Sequence, residues 1–184
     1  MSTAGLDGRT FAVAPAPVWR LLWLWVPLLG CAALIVAGTL QSDQRTAHEL
    51  VLTVPFMALL LAVLTGAFFR RRIALQGSTL DLTATFYRRQ VPVQAMALAR
   101  ARVLDLAEHD ALRPRMMLNG YGVPGFHAGH YRLRDGSRAF CLLTDASRVL
   151  YLPLHDGGAL LLSPEQPRAL LDALQALAVP AATH

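Results

Sequence analysis

The sequence predicts a membrane α-helical hairpin followed by a β-rich soluble domain, and three observations lead there. Two uncharged apolar runs of about 20 residues, the length that crosses a bilayer, fall before residue 70. Beyond Arg70 the pattern changes to short alternating runs punctuated by glycine and Asp-Gly turns. An amphipathic stretch with helix-start signals then closes the chain.

Composition agrees with that division. The chain of 184 residues is 54% hydrophobic with a mean hydropathy of +0.40, above the roughly 45–50% apolar content of soluble domains. Most of the excess lies before residue 70. All 17 basic residues are arginine, and from Arg70 onward 14 arginines face 9 acidic residues. That balance suits a domain beside an anionic leaflet, where each basic group is worth about 1 kcal/mol. The arginines are scattered and no base-reading motif is present, which argues against nucleic acid as a partner. Cys31 lies in the first apolar run and Cys141 in the soluble part, outside any CxxC or Cys/His ligand set, so both read as small buried hydrophobes.

Residues 1–69 form the membrane part, with spans at about 21–41 and 50–69. At a rise of 1.5 Å per residue each covers about 30 Å, the hydrocarbon thickness. The first run is longer than the 7–15 residues of a signal-peptide core and begins after a 20-residue leader, so it reads as a span. Trp19, Trp23 and Trp25 cluster at its start, where indole rings favour the headgroup interface. Pro27 is tolerated in a membrane helix. Ala58, Ala62 and Gly66 recur every four residues in the second span, a spacing that lets another helix approach closely, although alanine is abundant throughout the chain. Arg9 and Arg20 precede the hairpin and Arg70, Arg71 and Arg72 follow it, whereas the connector Gln41–Glu49 holds Arg45 alone among basic residues. The positive-inside rule therefore puts both termini on the cytoplasmic side.

Residues 70–184 form the soluble domain. Strands are expected at Arg72–Gln76, Thr79–Ala84, Phe86–Val91, Arg102–Ala107, His130–Arg134, Arg138–Thr144, Arg148–Leu154 and Ala159–Leu162. Asp135-Gly136 and Asp156-Gly157-Gly158 mark turns between them. Short strands at this spacing favour an antiparallel barrel or sandwich. Ser163 as N-cap, Pro164 at the first helical position and Gln166 as capping-box partner start a helix over 164–178. Leu170, Leu171, Leu174, Leu177 and Ala178 line one of its faces.

Two spans, short strands, the segment NGYGVPGFHAGHYRL and then LLTDASRVLYLPLHDGGALLLSPEQPRALLDAL together resemble the bacterial pleckstrin-homology (PH)-like domain proteins. The resemblance covers roughly residues 70 to 178, and FAVAP ahead of the first span fits it too. It rests on Asn119-Gly120, Gly125, Gly129, Thr144-Asp145 and Ser163-Pro164 in that order. It implies a PH-like antiparallel β-barrel of about seven strands, built from two near-orthogonal sheets and capped by the C-terminal α-helix. It also implies a bacterial inner-membrane protein, in a family whose biochemical role is mostly undefined. Inositide-binding members of the wider fold carry basic residues at the first strand–strand loop. Here that loop is Gln76-Gly77-Ser78, so specific phosphoinositide recognition is not expected.

The candidate binding segment is Arg113–His130, rich in glycine, methionine and aromatic residues. It reads as a binding loop or as a long barrel connection packed by its own aromatics. Within it Arg113, Arg115, Asn119, Gly120, Tyr121, Gly125 and Phe126 are candidates for contact with a partner or headgroup. The two arginines also have Asp105, Glu108 and Asp110 as possible ion-pair partners. His127 and His130, with His109 or His155, do not make a recognised metal-ligand spacing. No catalytic or phosphate-loop motif is present, and no cofactor is implied. The sequence therefore reads as a membrane-anchored binding module for a protein partner or for itself. The alternatives are an accessory subunit of a larger membrane complex and, with no motif behind it, an enzyme.

Overall fold

The structure is a computed structural model that describes residues 9–40 and 47–178. Most of the connector Gln41–Glu49 and the expected helix stop at Val179-Pro180 lie outside the described residues. The chain divides into two compact units: Pro17–Phe69, and a second made of Met1–Ala16 with Arg70–His184.

The first unit is a pair of helices, α1 (Leu22–Leu40) and α2 (Ala47–Phe69), preceded by a 3-10 turn at Val18–Leu21. Both helices run through an internal proline, Pro27 and Pro55. Leu24, Trp25, Leu28, Ala32 and Val36 are half-buried on α1, as are Thr53, Met57, Leu60, Leu61, Leu64 and Thr65 on α2. These stripes follow the three-to-four-residue helical repeat. Trp25 Nε1 donates to Thr65 Oγ1 at 3.1 Å, a side-chain tie between the helices. The other faces are apolar and exposed, among them Trp23, Val26, Leu34, Leu52, Phe56 and Leu59. Only 6% of the most apolar stretch of the first helix and 11% of the second are buried. The core helix of a soluble protein would bury most of that surface.

The second unit holds two sheets. The first has the order β1-β2-β3-β4, with β1 Arg9–Phe11, β2 Arg71–Gln76, β3 Thr79–Ala84 and β4 Tyr87–Pro92. The second has the order β5-β9-β10-β8-β7-β6, with β5 Arg102–Leu104, β6 Pro114–Val123, β7 Phe126–Leu133, β8 Arg138–Leu143, β9 Val149–Pro153 and β10 Ala159–Leu162. The expected closed barrel of about seven strands is corrected to two open sheets. Two strands had no alternating signal in the sequence: β1, which precedes the helices, and β6. The all-antiparallel expectation is corrected as well. β10 inserts between β9 and β8 and runs parallel to β8.

The main core lies between the sheets. Register places Ile73, Leu75, Leu80, Leu82 and Val91 on the inner face of the first sheet. Phe126, Ala128, Phe140, Leu142, Leu150, Leu152, Leu160 and Leu162 form the facing side of the second. The opposite face of the second sheet is covered as well. Leu104, Leu106 and Leu112 pack there on Tyr131, Leu133, Cys141, Val149 and Leu161. Burial on both faces explains why β8 and β10 read as continuous apolar runs.

Helix α3 spans Pro167–Ala178 and buries Leu170 and Leu174. Its start is a correction of three residues from 164. Ser163 is occupied elsewhere: its Oγ donates to the Asp145 carbonyl at 2.7 Å and its own carbonyl accepts Ala14 N–H at 2.9 Å. Pro167, not Pro164, therefore takes the first helical position, where its missing N–H costs nothing. The segment ahead of α1 is stitched into this unit. Arg9, Thr10 and Phe11 pair antiparallel with Leu75, Ala74 and Ile73. Ala12 then accepts Glu165 N–H at 2.9 Å, and Val13 bridges Pro164.

The expected loop at 113–130 is corrected to a hairpin, β6–β7, turned by Pro124-Gly125, with Gly125 at φ +77°. A proline followed by a positive-φ glycine is the signature of a type II turn. Two bulges bend β6, between Pro114 and Met116 and between Met117 and Asn119. Gly120 and Gly129 face each other so closely that a Cβ on Gly129, at φ +119°, would sit 2.6 Å from both Asn119 O and Gly120 Cα. Gly129→Val should therefore cost about 3 kcal/mol or more from strain and clash. The check is a lower melting temperature of the detergent-solubilised chain, with Gly136→Ala, in an open turn, as the milder comparison.

Candidate functional site

The seven residues that sequence reasoning placed in one binding segment do not share one surface. Tyr121 and Phe126 are buried and meet edge to face at 5.8 Å, and Arg71 lies over the Phe126 ring at 5.6 Å. Gly120 and Gly125 serve the close strand approach and the turn. Arg113 pairs with Asp110 at 3.3 Å, and Arg134 reaches the same carboxylate. Asn119 accepts from the Tyr87 hydroxyl at 2.6 Å, which ties β6 to β4. Arg115 is exposed.

The exposed part of the hairpin is its outer edge. Among the described residues β6 pairs with β7 alone, which leaves one side of its backbone without a strand partner among them. Met116, Met117 and Leu118, at the bulges, are 49%, 52% and 45% exposed. An edge strand with three consecutive exposed apolar residues is a template for another strand, and methionines adapt to varied partners.

A cleft lies between this edge and β4. Tyr87 and Arg89 point inward by register, opposite His130 and Phe140. The His130 ring packs edge-on against Phe140 at 5.1 Å and Tyr87 at 6.3 Å, and Arg89 lies over Phe140 at 6.0 Å. Arg89, Leu118, His130, Arg138 and the turn Asp156–Gly158 line a cleft of about 480 Å³. Arg132 and Arg138 pair across β7 and β8 on the same face as His130, so the cleft opens onto a basic rim. Burial, and then the nearby Arg89 charge, lower the His130 pKa below the usual 6.5. Sequence reasoning considered His130 only as a metal ligand and missed Tyr87, Arg89 and Arg138. The available signal was Arg89 at a core-parity position of an edge strand.

His127 packs edge-on against Tyr131 at 5.3 Å, and the Tyr131 hydroxyl donates to the Tyr121 carbonyl at 3.2 Å. Burial raises the pKa of both tyrosines and of Cys141. The Tyr121 hydroxyl is buried and has no hydrogen-bond partner among the described residues. In the helical unit, Ala58, Ala62 and Gly66 lie on an exposed face of α2, and a Cβ on Gly66 would meet nothing within 4 Å.

Two measurements test this account of the site. An unsatisfied buried hydroxyl is destabilising, so Tyr121→Phe should raise stability by about 1 kcal/mol, read as a higher melting temperature. His130 binds its proton more readily in the unfolded chain than in the folded one. Its contribution is therefore complete above about pH 6.5 and is lost as pH falls below that value. The melting temperature should drop between pH 7.5 and 5.5, and His130→Gln should reduce that drop.

Comparison with known proteins agrees with the order of these elements. The family model described as Bacterial PH domain matches residues 71–178, from the start of β2 to the end of α3. Comparisons with curated proteins and with solved structures gave no match. Since the matched region covers more than half of the chain, the protein belongs to the bacterial PH domain family.

Proposed function

We propose that this chain is a membrane-anchored binding module. In this reading α1 and α2 cross the bacterial inner membrane and the PH domain works at the cytoplasmic face, where it recognises a protein partner or a second copy of itself. The observation that carries the reading is the pairing of β1 with β2. Residues before the hairpin and residues after it share one sheet, so two crossing helices must leave and return on the same side. The arginines that flank the hairpin favour the cytoplasm as that side. The exposed apolar girth of both helices supports lipid as their surroundings.

PH domains are in general binding modules rather than catalysts, and here the edge of β6 is the binding surface best supported. Its open backbone, exposed Met116–Leu118 and the neighbouring basic cleft suit an extended protein segment that adds as a strand. The stripe Ala58, Ala62 and Gly66 faces away from α1 and leaves room for a helix of another subunit.

Membrane fractionation tests the anchor. The intact chain should pellet with membranes at high speed and enter the supernatant only with detergent, and its appearance in the supernatant without detergent would sink the anchored reading. A reporter fused after His184 that works only when exported should stay silent. Met117→Glu with Leu118→Glu should remove the proteins, or the second copy, that accompany the chain through mild-detergent purification. The same pair should change the melting temperature little, since exposed substitutions usually lie within about 0.5 kcal/mol.

A further inference from the structure

The outer face of the first sheet carries a second basic feature, separate from β6 and its cleft. Arg72 on β2, Thr83 on β3 and Arg88 on β4 lie in one cross-strand row, with Ala74, Asp81 and Gln90 in the next. Arg72, Thr83, Arg88, Ala74 and Asp81, together with Arg70, Gln76, Thr85, Phe86 and Tyr87, line a depression of about 220 Å³. That volume is below the roughly 300–1,000 Å³ of pockets that enclose whole drug-sized ligands. It suits one charged group.

The depression has a fixed internal arrangement. Both Asp81 oxygens accept from Arg88: Nε is 3.0 Å from Oδ1 and 3.1 Å from Oδ2, and Nη2 bonds Oδ2 as well. Asp81 is 7% exposed, while the Arg88 side chain is 62% exposed. The carboxylate thus holds one guanidinium in place, and its own charge is already matched. Hydrogen bonding from Arg88, above all, keeps its pKa below the usual carboxylate range. Arg70 and Arg72 are exposed and make no ion pair among the described residues. Three guanidinium groups therefore surround one satisfied carboxylate, leaving two positive charges uncompensated. Thr83 and Gln76 add neutral donors.

The depression also has a defined place along the chain. Arg70 follows directly on Phe69, the last residue of α2. Its carbonyl accepts Thr85 N–H at 2.8 Å, which holds the β3–β4 turn beside that junction. Thr85 has φ +56°, a left-handed conformation unusual for a β-branched residue, and the turn presents Phe86 with 55% exposure. An exposed aromatic beside arginines at the end of an apolar helix is the combination found at the headgroup level of a bilayer.

We propose that this depression binds a phosphate group through Arg70, Arg72 and the outward N–H groups of Arg88, with Asp81 positioning Arg88, and that the phosphate belongs to an anionic phospholipid. Planar guanidinium groups match phosphate oxygens in paired, charge-assisted hydrogen bonds. The lipid source rests on the membrane reading above; the phosphate chemistry does not.

The test uses the full chain in mild detergent, with native mass spectrometry in the presence of phosphatidylglycerol or phosphatidylcholine, and melting curves with and without inorganic phosphate. Wild type should retain phosphatidylglycerol over phosphatidylcholine. Arg70→Ala with Arg72→Ala should cut that adduct at least fivefold, while Arg148→Ala, an exposed arginine elsewhere, leaves it unchanged. Among the described residues neither Arg70 nor Arg72 makes an ion pair with another side chain, so the double variant should melt near wild type. Protection by inorganic phosphate without a lipid adduct, lost in the same double variant, would keep the phosphate site and assign it to a soluble phosphate. Equal adducts in wild type and the double variant, with no protection by phosphate, would overturn the proposal.

Discussion

The three-residue pairing of Arg9–Phe11 with β2 is the constraint on which the architecture depends. It requires the chain to leave the sheet after Phe11 for two helices and return to the neighbouring strand. Closing a flexible loop of about 60 residues costs about 4 kcal/mol in chain entropy. A few backbone bonds, each worth about 1 kcal/mol net, would barely offset that. Much of the intervening chain is not a flexible loop, however, because α1 and α2 pack against each other. Pairing of β1 and helix hairpin formation therefore favour one another. The bonds of Ala12 and Ala14 to Glu165 and Ser163 extend the same seam to the approach of α3.

That seam also accounts for what the sequence concealed. Thr79–Ala84 and Ala159–Leu162 were legible to the residue, the first from alternation and the second from a bounded apolar run. Arg9–Phe11 was not, because three residues next to a long apolar helix carry no period. Ser163-Pro164-Glu165-Gln166 carried every local mark of a helix start, yet α3 begins at Pro167. The Ser163 hydroxyl and carbonyl are committed to Asp145 and Ala14, contacts 18 residues away and across the helical hairpin. Local propensity gives way where tertiary partners claim the same groups.

The glycine-rich hairpin failed to read as strand for a different reason. Glycine lowers strand propensity, and four glycines between Asn119 and His130 look like a loop. Their use here is steric. Gly120 and Gly129 let two backbones approach closer than any Cβ allows, and Gly122 leaves room for the Tyr131 hydroxyl. Met116, Met117 and Leu118 lie at the bulges of β6, before this close approach, and are exposed. The candidate residues thus lie on one hairpin but on different faces of it. The segment is special, but its aromatic members Tyr121 and Phe126 hold the core, and its methionines face out.

Strand parity assigns the arginines of the domain to two separate faces. In β4 the adjacent residues Arg88 and Arg89 point to opposite sides of one sheet. Arg88 joins Arg70 and Arg72 on the outer face, held by a buried carboxylate. Arg89 turns inward to the open corner, where it lies over Phe140 beside His130 and the basic rim of Arg132 and Arg138. A single period-2 strand thus supplies a cation to each face of the first sheet. A one-residue slip of β4 would exchange the two arginines and carry Val91 out of the core, with Gln90 turned inward in its place. Register in this edge strand is therefore fixed by Val91 in the core, and the placement of one arginine on each face follows from it.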